Sequence, residues 1–124
     1  MTSPVVLVYN LENAEKLKLM FICGQLKILC VNVPRADYAQ SIAALAGARR
    51  RTDAVYAGEG FPEAMLVMAN FTNALFQSFM NALKRNRVTG VPLKAVMTPT
   101  NAEWDSVRLH DEILREHNEM HRKK

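Results

Sequence analysis

Short apolar runs alternate with longer stretches of helical periodicity along the chain. Each run holds five or six residues dominated by Val, Ile, Leu, Met or Ala, which is typical of strands buried on both faces. These predicted strands lie at 5–9, 28–33, 64–69 and 93–97. The stretches that follow them carry helix start and stop signals and apolar residues at helical spacing, which predicts helices at about 12–24, 37–46, 72–87 and 102–123.

The segment 93–104 organises the second half, because a buried strand stops there at a proline and opens into the longest helix. Pro99 ends the ladder hydrogen bonding of the strand. Thr100 and Glu103 have the spacing of a capping box, in which each side chain bonds to the backbone N–H of the other residue. We therefore expect this helix start either to cap itself or to hold an anion.

The two halves of the chain carry the same turn signals. Residues 10–14 read Asn-Leu-Glu-Asn-Ala and residues 70–74 read Asn-Phe-Thr-Asn-Ala, each directly after an apolar run. This fixed offset of 60 residues predicts an internal duplication. The expected organisation is one domain, 1–124, in which β-α-β-α halves at 4–47 and 63–123 are joined by a loop at 48–62.

Alternating strands and helices predict an α/β fold with one mainly parallel four-stranded sheet flanked by helices. The alternative is a ferredoxin-like α+β sandwich, which requires two consecutive strands, and no such pair is evident in the pattern. Four apolar strands in an open sheet leave two uncovered edges, and the end of the first helix is apolar nearly all round. We therefore expect the protein to form a homodimer.

Composition and charge narrow the classes of partner. The 124 residues carry 16 Lys and Arg against 12 Asp and Glu, and the charges are spread evenly, which disfavours a nucleic-acid-binding protein. The longest apolar stretches are too short to span a membrane. Cys23 and Cys30 are seven residues apart in apolar surroundings, which favours reduced thiols and hence the cytoplasm.

A motif in the second half resembles a known family. Residues 93–101 read Leu-Lys-Ala-Val-Met-Thr-Pro-Thr-Asn, and Trp104 follows. This is similar to an uncharacterised bacterial family, a domain of unknown function with an L-K-A-V-x-T-P-x-N-x-x-W segment before a C-terminal helix, and the resemblance covers roughly 62–120. It implies no activity, substrate or cofactor. It does imply that Lys94, Thr98, Asn101 and Trp104 belong together.

Polar side chains follow the predicted strands at their carboxyl ends, where open α/β sheets bind ligands. If the sheet is parallel, these side chains form a single rim able to bind a small phosphate-bearing anion at helix N-termini. The candidate ligand-binding residues are Asn10, Arg35, Asn70, Lys94, Thr98, Thr100, Asn101 and Trp104. The alternative is that the Asn and Thr residues are simply helix caps. The loop arginines at 49–51 indicate either a phosphate or nucleic-acid partner or, as we expect, ordinary solvent exposure.

No arrangement of residues predicts catalysis. Ser41, Ser78 and Ser106 fall inside predicted helices, no Ser, His and acid spacing recurs, and no cofactor is expected. His117 and His121 are at i and i+4 on the last helix, a spacing that can share a metal, but no third ligand joins them. We therefore expect a non-catalytic interaction or regulatory module, with an enzyme or sensor for a small anion as the alternative.

Overall fold

The chain folds into one β-sheet between two layers of helices. The computed structural model describes residues 3–122, with side chains to residue 120. The strands and helices are β1 Val5–Tyr9, α1 Asn13–Leu26, β2 Leu29–Asn32, α2 Ile42–Leu45, β3 Met65–Ala69, α3 Asn73–Arg85, β4 Leu93–Val96 and α4 Ser106–Arg122. Short 3₁₀ turns at Arg35–Asp37 and Asn101–Glu103 precede α2 and α4.

The sheet is mixed, so the prediction of a mainly parallel sheet is wrong in this detail. Within the described residues the strand order is β2-β1-β3-β4. β1 and β2 are parallel, β3 and β4 are parallel, and the central pair β1 and β3 is antiparallel. Each half is thus the expected parallel β-α-β unit, but the halves run in opposite directions. The ferredoxin-like alternative is not observed, because helices cover both faces.

The core has one layer on each side of the sheet. Odd-numbered residues of β1 and β3 face the layer of α2 and α4, and even-numbered residues face α1 and α3. Every residue of both central strands is buried, which explains their unbroken apolar runs. No helix in residues 3–122 is long and apolar enough to cross a membrane.

The two halves are related by a local two-fold axis at the centre of the sheet. Val5 pairs with Ala69 and Tyr9 with Met65, so Leu7 and Val67 lie opposite each other at the midpoint. Because β1 and β3 lie 60 residues apart, this register pairs each half with the other symmetrically.

The turns of the two halves are related by the same two-fold symmetry. In the described chain, the non-glycine residues with positive φ are Asn10 (57°), Lys27 (58°), Asn70 (64°) and Arg87 (53°), which form two pairs 60 residues apart. The side chain of Asn10 donates to the carbonyl of Glu63, and that of Asn70 donates to the carbonyl of Ser3, both at 3.1 Å. The halves therefore correspond in space, while their origin by duplication stays a prediction.

The second helices of the two halves differ in length. The predicted helix at 37–46 is mostly irregular, and α2 keeps only four residues, capped by the Ser41 hydroxyl on the Ala44 N–H at 3.1 Å. Gly47, at φ 83°, stops it. The corresponding helix α4 extends over 17 residues. Because α2 is so short, it leaves Leu29 on edge strand β2 59% exposed.

The long connection at 48–62 is held against the core at several points. The buried side chain of Gln40 accepts from the Thr52 N–H at 2.9 Å and donates to the carbonyls of Thr52 and Ala54. Asn10 donates to the Phe61 carbonyl at 2.7 Å. The expected exposure of its arginines is observed, and two of them form surface ion pairs, Arg49 with Glu103 and Arg51 with Asp37.

Candidate functional site

A large cavity opens at the carboxyl ends of the parallel strands β1 and β2. Its volume is about 540 Å³. Asn10 follows β1, Asn32 ends β2, and the connection at 48–62 closes one side with Phe61. This is the position at which parallel β-α-β units bind ligands. The other lining residues are Leu11, Lys16, Val33, Pro34, Arg35, Tyr38 and Glu59.

Two cations from different elements face this cavity. Lys16 comes from the end of the first turn of α1, and Arg35 comes from the turn after β2, while Glu59 supplies one opposing carboxylate. Burial raises the pKa of Tyr38, and its hydrogen bond with Asn10 and the charge of Arg35 offset part of that effect. The cavity therefore combines excess positive charge with amide and hydroxyl groups, which suits a small anion.

The predicted single rim is divided between opposite ends of the sheet. Because β3 and β4 run antiparallel to β1, their carboxyl ends lie at the far edge. Asn10 and Arg35 meet in the large cavity, whereas Asn70 and Thr98 line a smaller one of about 330 Å³ beside Phe71, Val96 and Met97. The candidate residues therefore do not form one site. Whether either group binds a ligand stays a prediction.

The turn after β4 is closed by Thr98 and Asn101, and not by Thr100 and Glu103 as predicted. The Asn101 side chain accepts from the Thr98 N–H at 2.8 Å and donates to the Val96 carbonyl at 3.1 Å. The Thr98 hydroxyl accepts from the Asn101 N–H at 3.1 Å. Among the described residues, Thr100 makes no side-chain cap bond. The polar groups of this motif thus satisfy one another.

The start of α4 is capped further along the chain than expected. Asp105 accepts from the Arg108 N–H at 2.9 Å, and the helix begins at Ser106. Glu103 instead pairs with Arg49 on the surface. The predicted capping box is therefore wrong: a single Asp105 side chain caps the helix five residues after Thr100, because the 3₁₀ turn at Asn101–Glu103 intervenes.

Lys94 and Trp104 lie apart from the turn that the motif builds. Lys94 is exposed on β4, and its amine donates to the Val91 carbonyl at 3.1 Å. Trp104 packs against the core layer of α2 and α4, with the Arg108 guanidinium 4.4 Å above its ring. Trp104 is therefore an anchor for the chain between β4 and α4.

The outer face of α1 carries a stripe of exposed apolar side chains. Leu17, Met20 and Phe21 are 68%, 53% and 59% exposed and lie at i, i+3 and i+4 on one side of the helix. Gly24 continues this line, and a Cβ built on it would meet nothing within 4 Å among the described residues. These four residues are called the α1 stripe below. Large apolar residues grouped in this way mark interaction surfaces.

A buried histidine ties α4 to the end of the long connection. His110 is 4% exposed, its Nε2 lies 2.8 Å from the Glu63 carboxylate, and its Nδ1 lies 2.9 Å from that of Asp111. Its ring stacks on Phe61 with centroids 3.8 Å apart. Because Phe61 also lines the large cavity, this cluster fixes one cavity wall. Sequence reasoning missed the cluster, since Glu63 and His110 are 47 residues apart.

Lys16 is the cavity residue that the sequence could have indicated. It lies three and seven residues before Leu19 and Cys23, whose side chains face the sheet, so helical spacing places it on the same side. No group of three or more metal-binding side chains occurs in the described chain. Of the weak metal candidates, His117 lies on α4, and the side chain of His121 is outside the described residues.

Comparison with known proteins relates part of the chain to a protein family. No curated protein and no solved structure matches the chain. A family model matches the second half of the chain, and the matched residues are nearly the same as those for which the sequence motif indicated a resemblance. The match begins just before β3 and covers α3, β4 and most of α4, a little under half of the chain. Residues 64–120 therefore match the uncharacterised family described as Domain of unknown function (DUF3783).

Proposed function

We propose that the protein is a non-catalytic interaction module that self-associates as a homodimer through the outer face of α1. The observation that carries this proposal is the α1 stripe. Three large apolar side chains, each more than half exposed, gain free energy when a partner removes them from water. Isolated apolar residues on a surface need no explanation, but a contiguous helical line of them does.

The corresponding helix of the other half supports this interpretation. α3 occupies the place of α1 in the second half, and the positions 60 residues after Leu17 and Phe21 are Gln77 and Asn81. Both are polar and exposed. Since the positions of Leu17 and Phe21 are filled by polar residues in the second half, folding alone does not require apolar residues there, whereas the position of Met20 is apolar in both halves, with Met80 in α3.

Charges at the two ends of α1 favour a second copy of this chain as the partner. Glu12 precedes the helix, Lys27 ends it, and both are exposed. Two α1 helices packed antiparallel around a two-fold axis bring the end that carries Glu12 near the end of the partner that carries Lys27, and oppose their helix dipoles. The axis then passes close to Met20. Gly24 allows the helices to approach closely on either side.

The stripe sets the expected strength of the dimer. Six large apolar side chains, three from each copy, contribute on the order of 5–10 kcal/mol when they are buried. The loss of translational and rotational freedom opposes this contribution. We therefore expect a dissociation constant in the micromolar range.

Sedimentation velocity of matched variants tests the proposal. Phe21→Glu places a charge in the stripe and should leave the protein monomeric at about 50 µM, while wild type is dimeric at that concentration. Asn81→Glu adds the same charge at the corresponding position of α3 and should leave the dimer intact. A monomeric wild type, or equal loss in both variants, would contradict the proposal.

Charge reversal tests the antiparallel arrangement separately. Glu12→Lys should weaken the dimer by placing like charges together, and Lys27→Glu should do the same. The double variant restores opposite charges in the antiparallel pair, so its dissociation constant should return towards that of wild type. A double variant weaker than both single variants would exclude this arrangement while leaving the stripe as a contact surface.

A second candidate function is the binding of a small phosphate-bearing anion in the large cavity. The specific observation is that Lys16 and Arg35 converge there from different elements at the ends of parallel strands. Inorganic phosphate at constant ionic strength should then raise the thermal stability of wild type. Lys16→Gln or Arg35→Gln should abolish this rise. Lys18→Gln is the control, because Lys18 pairs with Glu15 and does not line the cavity. Equal stabilisation of all four proteins would reject the site.

A further inference from the structure

The two thiols of the chain meet between α1 and β2. Cys23 is buried near the end of α1, and Cys30 is half-buried on β2 and packs into the same apolar cluster. The two thiols are close enough for each to shift the pKa of the other. The connection that joins them is rigid, because the Cys23 carbonyl accepts from the N–H groups of Lys27 and Ile28. Their contact is therefore fixed by the fold.

The two sulfurs have different electrostatic surroundings. The hydrogen bond from the Cys23 thiol, together with the nearby charge of Lys16, lowers the pKa of Cys30 to about 7 against the opposing effect of burial. The same hydrogen bond and burial raise the pKa of Cys23. At neutral pH a substantial fraction of Cys30 is thus thiolate, while Cys23 stays protonated. β2 is an edge strand of the sheet, so Cys30 is also the sulfur that a small molecule can approach.

We propose that Cys23 and Cys30 form a reversible oxidation site that a hydroperoxide converts to an intramolecular disulfide. The Cys30 thiolate attacks one peroxide oxygen, the O–O bond breaks, and the other oxygen leaves and takes a proton to become water or an alcohol. Cys30 is then a sulfenic acid. The sulfur of Cys23 loses its proton and attacks that of Cys30, the S–O bond breaks, and the departing hydroxide takes the proton as water. A dithiol reductant reverses the reaction by exchange.

This site is independent of the proposed dimer. The α1 stripe faces solvent, whereas Cys23 faces the sheet from the opposite side of the helix. The disulfide would link the last turns of α1 to the edge strand β2. Oxidation therefore changes the connection between the first helix and the sheet without using residues of the stripe.

Mass spectrometry of the intact wild-type protein tests the site. After treatment with hydrogen peroxide at pH 7, the protein should lose two hydrogen atoms and both thiols that label with N-ethylmaleimide. A peptide map should show the Cys23–Cys30 link, and dithiothreitol should restore both thiols. Cys23→Ser keeps a hydrogen-bond donor beside Cys30 but cannot form the disulfide, so Cys30 in this variant should stop at sulfenic or sulfinic acid.

Alkylation rates at pH 7 test the assigned roles. Iodoacetamide should modify Cys30 in wild type at least roughly tenfold faster than Cys23, because only Cys30 carries a substantial thiolate fraction. Cys23→Ala removes the hydrogen-bond donor and should slow alkylation of Cys30 by roughly threefold or more, whereas Cys23→Ser should slow it less. Circular dichroism confirms that the variants are folded. Wild type that accumulates sulfinic acid on Cys30 with Cys23 still free, or that forms only links between chains, would overturn the proposal.

Discussion

Asn101 is expected to hold the turn after β4, and replacing it with alanine should destabilise the protein while replacing its neighbour Thr100 should not. The Asn101 side chain is buried and bonds to the backbone of both Thr98 and Val96. Thr100 is exposed and makes no cap bond within the described residues. The two substitutions therefore separate the observed turn from the capping box that the sequence pattern predicted.

The magnitude follows from the bonds that are lost. Asn101→Ala removes two side-chain hydrogen bonds, each with a net contribution of about 0.5–1.5 kcal/mol. The Thr98 N–H and the Val96 carbonyl then rely on water. We expect a loss of about 1–3 kcal/mol in the free energy of unfolding. In a chain of this size each kcal/mol of that loss lowers the Tm by about 3–6 °C. Thr100→Ala should change the stability by less than about 0.5 kcal/mol.

Urea denaturation followed by circular dichroism measures both changes. Asn101→Asp is an informative third variant, because it keeps the acceptor for the Thr98 N–H but loses the donor to the Val96 carbonyl. Its stability should fall below that of wild type, since a carboxylate then faces a carbonyl oxygen. A loss for Thr100→Ala as large as that for Asn101→Ala would refute the assignment and restore the capping box of Thr100 and Glu103.

Two further experiments test the core and the connection between the halves. Tyr9→Phe removes a buried hydroxyl that hydrogen-bonds to Ser106 at 2.7 Å, and should cost about 1–3 kcal/mol in unfolding free energy; adding Ser106→Ala should cost less than the sum of the two single changes. The Thr89 N–H and the Lys18 amine lower the pKa of Glu15 below its ordinary value of 4.5. A lowered pKa in the folded state stabilises above that ordinary value, and the stabilisation is lost as pH falls through the lowered pKa. Glu15→Gln should therefore be less stable than wild type at pH 7, and urea midpoints of the two proteins should converge in acid.

Sequence periodicity located the strands because their residues face apolar layers on both sides. The predicted runs at 5–9 and 93–97 differ from β1 and β4 by at most one residue. The same property left the relative direction of β1 and β3 undetermined. A strand buried on both faces has the same apolar pattern in a parallel or an antiparallel pair. The connection at 48–62 is long enough to return the chain to either end of the sheet. The local sequence pattern therefore does not predict which end of the sheet the connection returns to.

The second helix and the candidate site were harder to predict for related reasons. Apolar spacing at 38–45 reflects burial of Tyr38, Ile42 and Leu45 against the sheet, but a 3₁₀ turn and the Ser41 cap divide the segment. For the site, Asn10 and Arg35 were indicated by their positions at strand ends. Asn70 and Thr98 were assigned to the same rim only because all four strands were expected to point in the same direction.

Cross-linking at the expected dimer axis tests the central claim of self-association through α1 most directly. Met20→Cys, in a protein whose Cys23 and Cys30 are replaced by serine, places one thiol of each copy beside the two-fold axis. Mild oxidation should give a disulfide-linked dimer on a non-reducing gel, and the Phe21→Glu substitution should suppress it. Asn81→Cys, an exposed position on α3, should remain monomeric. Equal yields from the two positions, or no cross-link at position 20, would contradict the proposed dimer.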